Sequence, residues 1–137
     1  MEKEIKLTNN MSEISRLEIF IEELGEELGL LPETTMNINL ALEEAVANII
    51  LYAYPSDEQR EILLKVTTSS EQIIFLLTDK GVSFDPTQEE DADITLPIDE
   101  RPIGGLGIFL IRKIMNEVTY ERIEGENKLM MKKILNE

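Results

Sequence analysis

Hydrophobic positions along the chain follow two rhythms, one of three and four residues and one of two, and the changes between them mark out the elements. From Ser12, read as an N-cap, Ile14, Leu17, Ile21, Leu24 and Leu28 recur at helical spacing while Glu18, Glu22, Glu23, Glu26 and Glu27 fill other positions. This predicts an amphipathic helix ending near Gly29. A second helix is predicted from just after Pro32 to Tyr54, because Pro55 disfavours a helical conformation in the residue before it. Ile5 and Leu7 alternate as a short first strand before the break at Asn9-Asn10. Residues 60–68 and 72–79 read as a hairpin turned at Ser69-Ser70, with Ile62-Leu63-Leu64 and Ile73 to Leu77 as the apolar centres.

Between Lys80 and Gly107 neither rhythm holds. Three prolines, Gly81 and six acids from Glu89 to Glu100 indicate a loop too long to be a mere connector, and long ordered loops in small domains usually cover something. Helical spacing returns with Ile108, Phe109, Leu110, Ile111, Ile114 and Met115. Strands are predicted near 117–123 and 128–135, turned by Glu124-Gly125-Glu126-Asn127. The order predicts an α+β fold, a two-layer sandwich whose mixed, mainly antiparallel sheet carries helices on one face, in a single domain over 1–137.

Composition narrows the chemistry. The 137 residues include no Cys and no His, which removes thiolate nucleophiles, disulfides, the usual zinc ligands and the usual near-neutral base. Acid-base work therefore falls to carboxylates. Thirteen basic against 28 acidic residues give a net charge of −15, which argues against nucleic acid and anionic lipid as partners. No apolar run approaches the roughly 18 residues of a membrane span, and Met1-Glu2-Lys3-Glu4-Ile5 lacks the basic-then-apolar start of a secretory signal, so a cytoplasmic location is expected.

Three places can carry chemistry. In the second helix, residues 45–54 are apolar all round except for Asn48 and the tyrosine hydroxyls. An unpaired buried amide costs about 1–3 kcal/mol, so Asn48 requires a partner. Glu44 sits four residues earlier on the same face, and Glu43 falls one residue off it. A carboxylate and an amide so placed suit Mg²⁺ and the orientation of a hydroxyl, or else simply bond within the protein. Asp79-Lys80-Gly81 ends an apolar strand, where the carboxylate can accept from a ligand amine or belong to a solvated turn. Gly104-Gly105-Leu106-Gly107 leads into a helix, either as a phosphate cradle or as a hinge.

Taken in order, Glu-x-x-x-Asn in a helix, Asp-x-Gly closing a strand, a long loop and Gly-x-Gly opening a helix, this chain resembles the Bergerat-fold (GHKL) ATP-binding domain. Within that group it is similar to the small serine/threonine kinases that act as anti-sigma factors in bacterial partner switching. Residues 42–48, Leu-Glu-Glu-Ala-Val-Ala-Asn, and 104–118 carry the likeness most strongly. The resemblance implies ATP and Mg²⁺ as cofactors, Asn48 on the metal and Glu44 as the base or hydroxyl-orienting group. It further implies Asp79 on the adenine amino group with Gly81 beneath the base, Gly104, Gly105, Leu106 and Gly107 at the phosphates, and an ATP lid from Phe84 to Arg101. Ser83 stands where the family usually has a second glycine, and Met130 where many relatives have a threonine near the adenine.

A chain of net −15 that attracts a nucleotide of charge about −4 must draw on local positive sources. These are the metal, the helix start and Arg101 beside the glycine loop, with Lys80 and Arg16 as further cations. The implied partners are an anti-sigma-factor antagonist of STAS-like type, a sigma factor and a second copy in a homodimer. A nucleotide-dependent binding module without transfer is the alternative. A histidine-kinase catalytic part fits less well, because the chain has no His.

Overall fold

The computed structural model describes residues 1–55, 58–88 and 105–135, and of 88 and 105–107 the backbone only. In chain order the elements are strand β1 (Glu2–Thr8), helix α1 (Ile14–Leu28), helix α2 (Pro32–Asn48), strands β2 (Glu61–Thr68) and β3 (Gln72–Asp79), helix α3 (Gly105–Ile114) and strands β4 (Glu117–Ile123) and β5 (Glu126–Ile134). The sheet order is β1-β2-β3-β5-β4, and all four pairings are antiparallel.

Local chemistry sets the boundaries. A single 3₁₀ turn, Met11–Glu13, leads into α1, and it is Asn10, not Ser12, whose side chain accepts the Ser12 N–H. The expected cap is thus displaced by two residues, the amide of Asn10 reaching the donor that a Ser12 cap would have left open. Gly29 ends α1 in the left-handed region at φ 66°. The helix after Pro32 reaches Ala53 as the proline spacing predicts, but its last turn, Ile49–Ala53, is π-helical. A two-residue turn with φ of 50° at Glu124 and 80° at Gly125 joins β4 to β5. Asn127 therefore lies in β5 rather than in the turn.

One core holds these layers together. Alternate residues of the strands, Leu7, Ile62, Leu64, Ile73, Phe75, Leu77 and Met131, meet Leu17, Ile21, Ile38, Leu42, Val46, Ile108 and Ile111 from the helices, all buried. Each such side chain contributes roughly 1.5–3 kcal/mol of burial. Helix α2 is central, packing on α1 and on α3. Gly25 makes the first of these contacts close, because a Cβ there would lie 2.3 Å from Thr35 Oγ1. No helix among the described residues is long and apolar enough to cross a membrane.

Candidate functional site

The end of α2 and the end of β3 meet at a small cavity of about 20 Å³ lined by Ala45, Asn48, Ile49, Asp79, Phe84, Pro86, Tyr120, Asn127 and Leu129. Asn48 and Asp79, placed far apart in sequence, thus face one space. Larger open grooves lie elsewhere, one of about 620 Å³ beside Asn9 and Tyr54 and one of about 630 Å³ between α1 and α2. The small cavity combines buried polar groups with the apolar walls expected of a ligand site.

Asn48 is only 8% exposed, yet its side-chain amide makes no hydrogen bond among the described residues. Its amide is open to a partner in the cavity it lines, whereas the buried side-chain polar atom left without a hydrogen bond among the described residues is Asn39 Oδ1, beside the groove between α1 and α2. Asp79 is also buried, and its Oδ1 accepts from the Gly81 N–H at 2.8 Å and from Asn127 Nδ2 at 2.9 Å. No hydrogen bond to Oδ2 is made among the described residues. Burial raises the pKa of Asp79, opposed by the Asn127 and Gly81 bonds and by the charge of Arg122.

A carboxylate with a raised folded-state pKa binds more protons when folded than when unfolded, so it weakens the fold as pH rises from 3.8 through the raised value. Asp79→Asn removes that penalty. Without ligand, the variant is expected to gain stability over the wild type as pH climbs through this window and to hold a constant advantage above it. Urea unfolding of both proteins from pH 3.5 to 8 checks this, and parallel curves would contradict it.

The π turn that follows Asn48 binds the chain on the other side of the cavity. The Ala53 carbonyl accepts the Val82 N–H at 2.9 Å. A Cβ on Gly81 would stand 2.3 Å from that same oxygen, so only glycine lets the Asp79 turn lie against the helix end. Tyr54 completes the join: its hydroxyl accepts the Lys80 N–H at 2.7 Å and donates to the Glu61 carbonyl at 2.8 Å. Burial, and after it the Asp79 charge, raises the Tyr54 pKa, which keeps that donating proton in place. Phe84 leans on Tyr52 with ring centroids 5.5 Å apart.

Glu44 is half-buried one turn before Asn48 and does not line the cavity. Glu43 points elsewhere, accepting from Asn39 Nδ2 at 3.1 Å, with its pKa raised by burial and by Glu18 and Glu44. Gly105, Leu106 and Gly107 form the first turn of α3, whose leading N–H groups have no helical acceptor. That helix starts at Gly105, three residues earlier than the apolar spacing indicates. Arg101 and Gly104 lie outside the described residues, as does the lid segment from 89 to 101. Lys80 is exposed, and Arg16 is engaged by the Lys6 carbonyl and by Glu13.

Two departures noted in the sequence resolve differently. Met130 pairs with Leu76 and sits on the sheet face away from Asp79, so it is not the β5 residue beside that carboxylate. Asn127 is, and the sequence reading missed it by assigning it to the turn. Ser83 Oγ lies 3.3 Å from the Tyr120 hydroxyl, which ties the loop to β4.

Against known proteins, the family model described as histidine kinase-like ATPase domain matches residues 7–133. Serine-protein kinase RsbW of Bacillus cereus (strain Q1) is 26% identical over 138 aligned positions, covering 98% of this chain and 86% of that protein. The proteins of the same name from Bacillus thuringiensis subsp. konkukian (strain 97-27) and Bacillus anthracis (strain A0248) match with the same identity and coverage.

Proposed function

This chain belongs to the histidine kinase-like ATPase domain family, and from that premise we propose that it is an ATP-dependent serine/threonine protein kinase of anti-sigma-factor type. The observation that carries the reading is the shared cavity of Asn48 and Asp79: an amide and a carboxylate oxygen, neither hydrogen-bonded among the described residues, from two positions with 30 residues of chain between them. The RsbW relatives named serine-protein kinases support the phosphotransferase part of it.

In this reading Asp79 Oδ2 accepts the adenine amino group, and the base enters where Phe84 and Pro86 now close the cavity. About 20 Å³ accommodates little more than a water molecule, so nucleotide entry requires the 84–88 segment to move outward. Glycines at the start of α3 offer backbone donors to the phosphates, and Arg101, four residues before Gly105 in the chain, supplies a cation. Asn48 suits magnesium, which takes few protein oxygens and completes its shell with phosphate and water. The described residues contain no cluster of three or more carboxylates that would cage the ion alone. When bound, magnesium neutralises phosphate charge.

Chemistry falls to Glu44. The bond from the γ-phosphorus to the ADP oxygen breaks, the bond to the substrate serine Oγ forms, and the hydroxyl proton passes to Glu44 and on to solvent. Such a transfer is loose, so positioning and charge neutralisation do most of the work and an ordinary carboxylate suffices. The substrate is a STAS-like antagonist domain, and a sigma factor and a second copy of the chain are the other partners. Exposed apolar side chains at Ile19 in α1, Leu31 in the connection and Met36 and Leu40 in α2 give surface suited to protein contacts. The chain acts as one cytoplasmic domain.

Incubation with γ-labelled ATP and candidate antagonist domains tests the proposal. Acid-stable label on a serine is the expected result. Nucleotide binding without transfer to any such domain would replace the kinase by the nucleotide-dependent binding module, and acid-labile label would indicate a histidine acceptor.

A further inference from the structure

Asn127 is the cross-strand partner of Asp79 and is only 4% exposed. Its amide is fully used. Nδ2 donates to Asp79 Oδ1 at 2.9 Å and to the Val82 carbonyl at 2.8 Å, while Oδ1 accepts from the Tyr120 hydroxyl and from Arg122 Nη1 at 3.0 Å. This orientation is forced by its neighbours: a carbonyl oxygen can only accept and a guanidinium can only donate, so a flipped amide would meet like with like at both ends. Arg122 Nη1 also donates to the Gly81 carbonyl at 2.8 Å. Strands β4 and β5 thus grip the Asp79-Lys80-Gly81-Val82 turn through two side chains, Arg122 and Asn127.

The consequence concerns the carboxylate. Asp79 Oδ1 already accepts from Gly81 and Asn127, which fixes the plane of the group and leaves Oδ2 as the oxygen with lone pairs to offer. A carboxylate so held attracts a donor and repels an acceptor. Resting on the nucleotide reading above, we propose that Asn127 is a positioning residue that confers base selectivity, holding Asp79 so that a purine bearing an exocyclic amino group is taken and one bearing oxygen at that position is refused. Without the Asn127 donors, the carboxylate can turn, hydrate or pair with Arg122, and it then distinguishes the two purines poorly.

The test is the ratio of ATP to inosine triphosphate affinity, measured by calorimetry on the full chain and two variants. Asn127→Asp keeps the size of the side chain and an oxygen for Tyr120 and Arg122 but replaces the amide donors beside Asp79 with a second carboxyl group, which repels the Asp79 charge or shares its proton. Tyr120→Phe removes one anchor of the amide and leaves the buried part of the strand intact. The wild type should prefer ATP. In Asn127→Asp the preference should fall at least tenfold (~1.4 kcal/mol or more of discrimination), nearly all of it through weaker ATP binding, and in Tyr120→Phe about threefold in the same sense. Equal weakening of both nucleotides, or an unchanged ratio in Tyr120→Phe, would assign Asn127 a purely structural part and overturn the inference while leaving the nucleotide pocket standing. A wild type that binds both equally well also overturns it. A wild type that binds neither nucleotide overturns the parent reading and this one together.

Discussion

Glu44→Gln is expected to bind ATP within about threefold of the wild type and to transfer phosphate roughly 10²–10⁴ times more slowly. The amide has nearly the same shape as the carboxylate but cannot take a proton. Glu44 lies one helical turn before Asn48 and outside the cavity that Asp79 lines, so its replacement leaves the base site untouched. Initial rates of label transfer, with calorimetry for affinity, separate the two effects. Glu43→Gln is the matched comparison. The Glu43 carboxylate accepts from Asn39, and it titrates high because it is buried near Glu18. A raised pKa is attractive in a base, yet this carboxylate is engaged on a different face from Asn48, and its variant should keep most of the transfer rate. If Glu43→Gln were the dead enzyme and Glu44→Gln the active one, the assignment would be reversed.

Gly81→Ala should be the most damaging single methyl near the pocket. Its Cβ would sit 2.3 Å from the Ala53 oxygen and 2.7 Å from the Ala53 carbonyl carbon, both backbone atoms that no rotamer change can move aside. The φ of Gly81 is not positive, so space alone makes the glycine necessary. Relief requires the Asp79 turn and the π-helical end of α2 to separate, at a cost of about 1–3 kcal/mol or more. Separation would also break the Val82 to Ala53 hydrogen bond and shift Asp79 relative to Asn48. Urea unfolding should show the lost stability, and ATP affinity should fall by at least tenfold, a further ~1.4 kcal/mol. An alanine variant with wild-type stability and affinity would mean that the two segments are not held against each other in solution.

Much of this architecture was legible because its signals are local. Apolar spacing in α1, the proline at the start of α2 and the positive-φ glycine after Leu28 each act within a turn of the residue that carries them. The pairing of Asp79 with Asn48 was legible only as a resemblance, because no periodicity says that a helix end and a strand end will meet. Two features were out of reach. The π turn falls where Ile49, Ile50 and Ala53 are buried and the Ala53 carbonyl takes the Val82 N–H, tertiary contacts that the α-helical rhythm does not encode. Asn127 was hidden by its neighbours: Glu124-Gly125-Glu126-Asn127 has the composition of a four-residue turn, and only two residues are needed once both take positive φ. Its presence in β5 is a matter of register, fixed by strands more than forty residues apart.

The strand order also has a kinetic side. β2 with β3 and β4 with β5 are neighbours in sequence and close through short loops, whereas β1 reaches β2 only across residues 9–60. Loop closure over that span is entropically costly and yields one partner rather than two, since β1 is at the sheet margin. The amino-terminal strand is therefore expected to fray before the centre of the sheet, and its amide protons should exchange well before those of β3, which is paired on both sides.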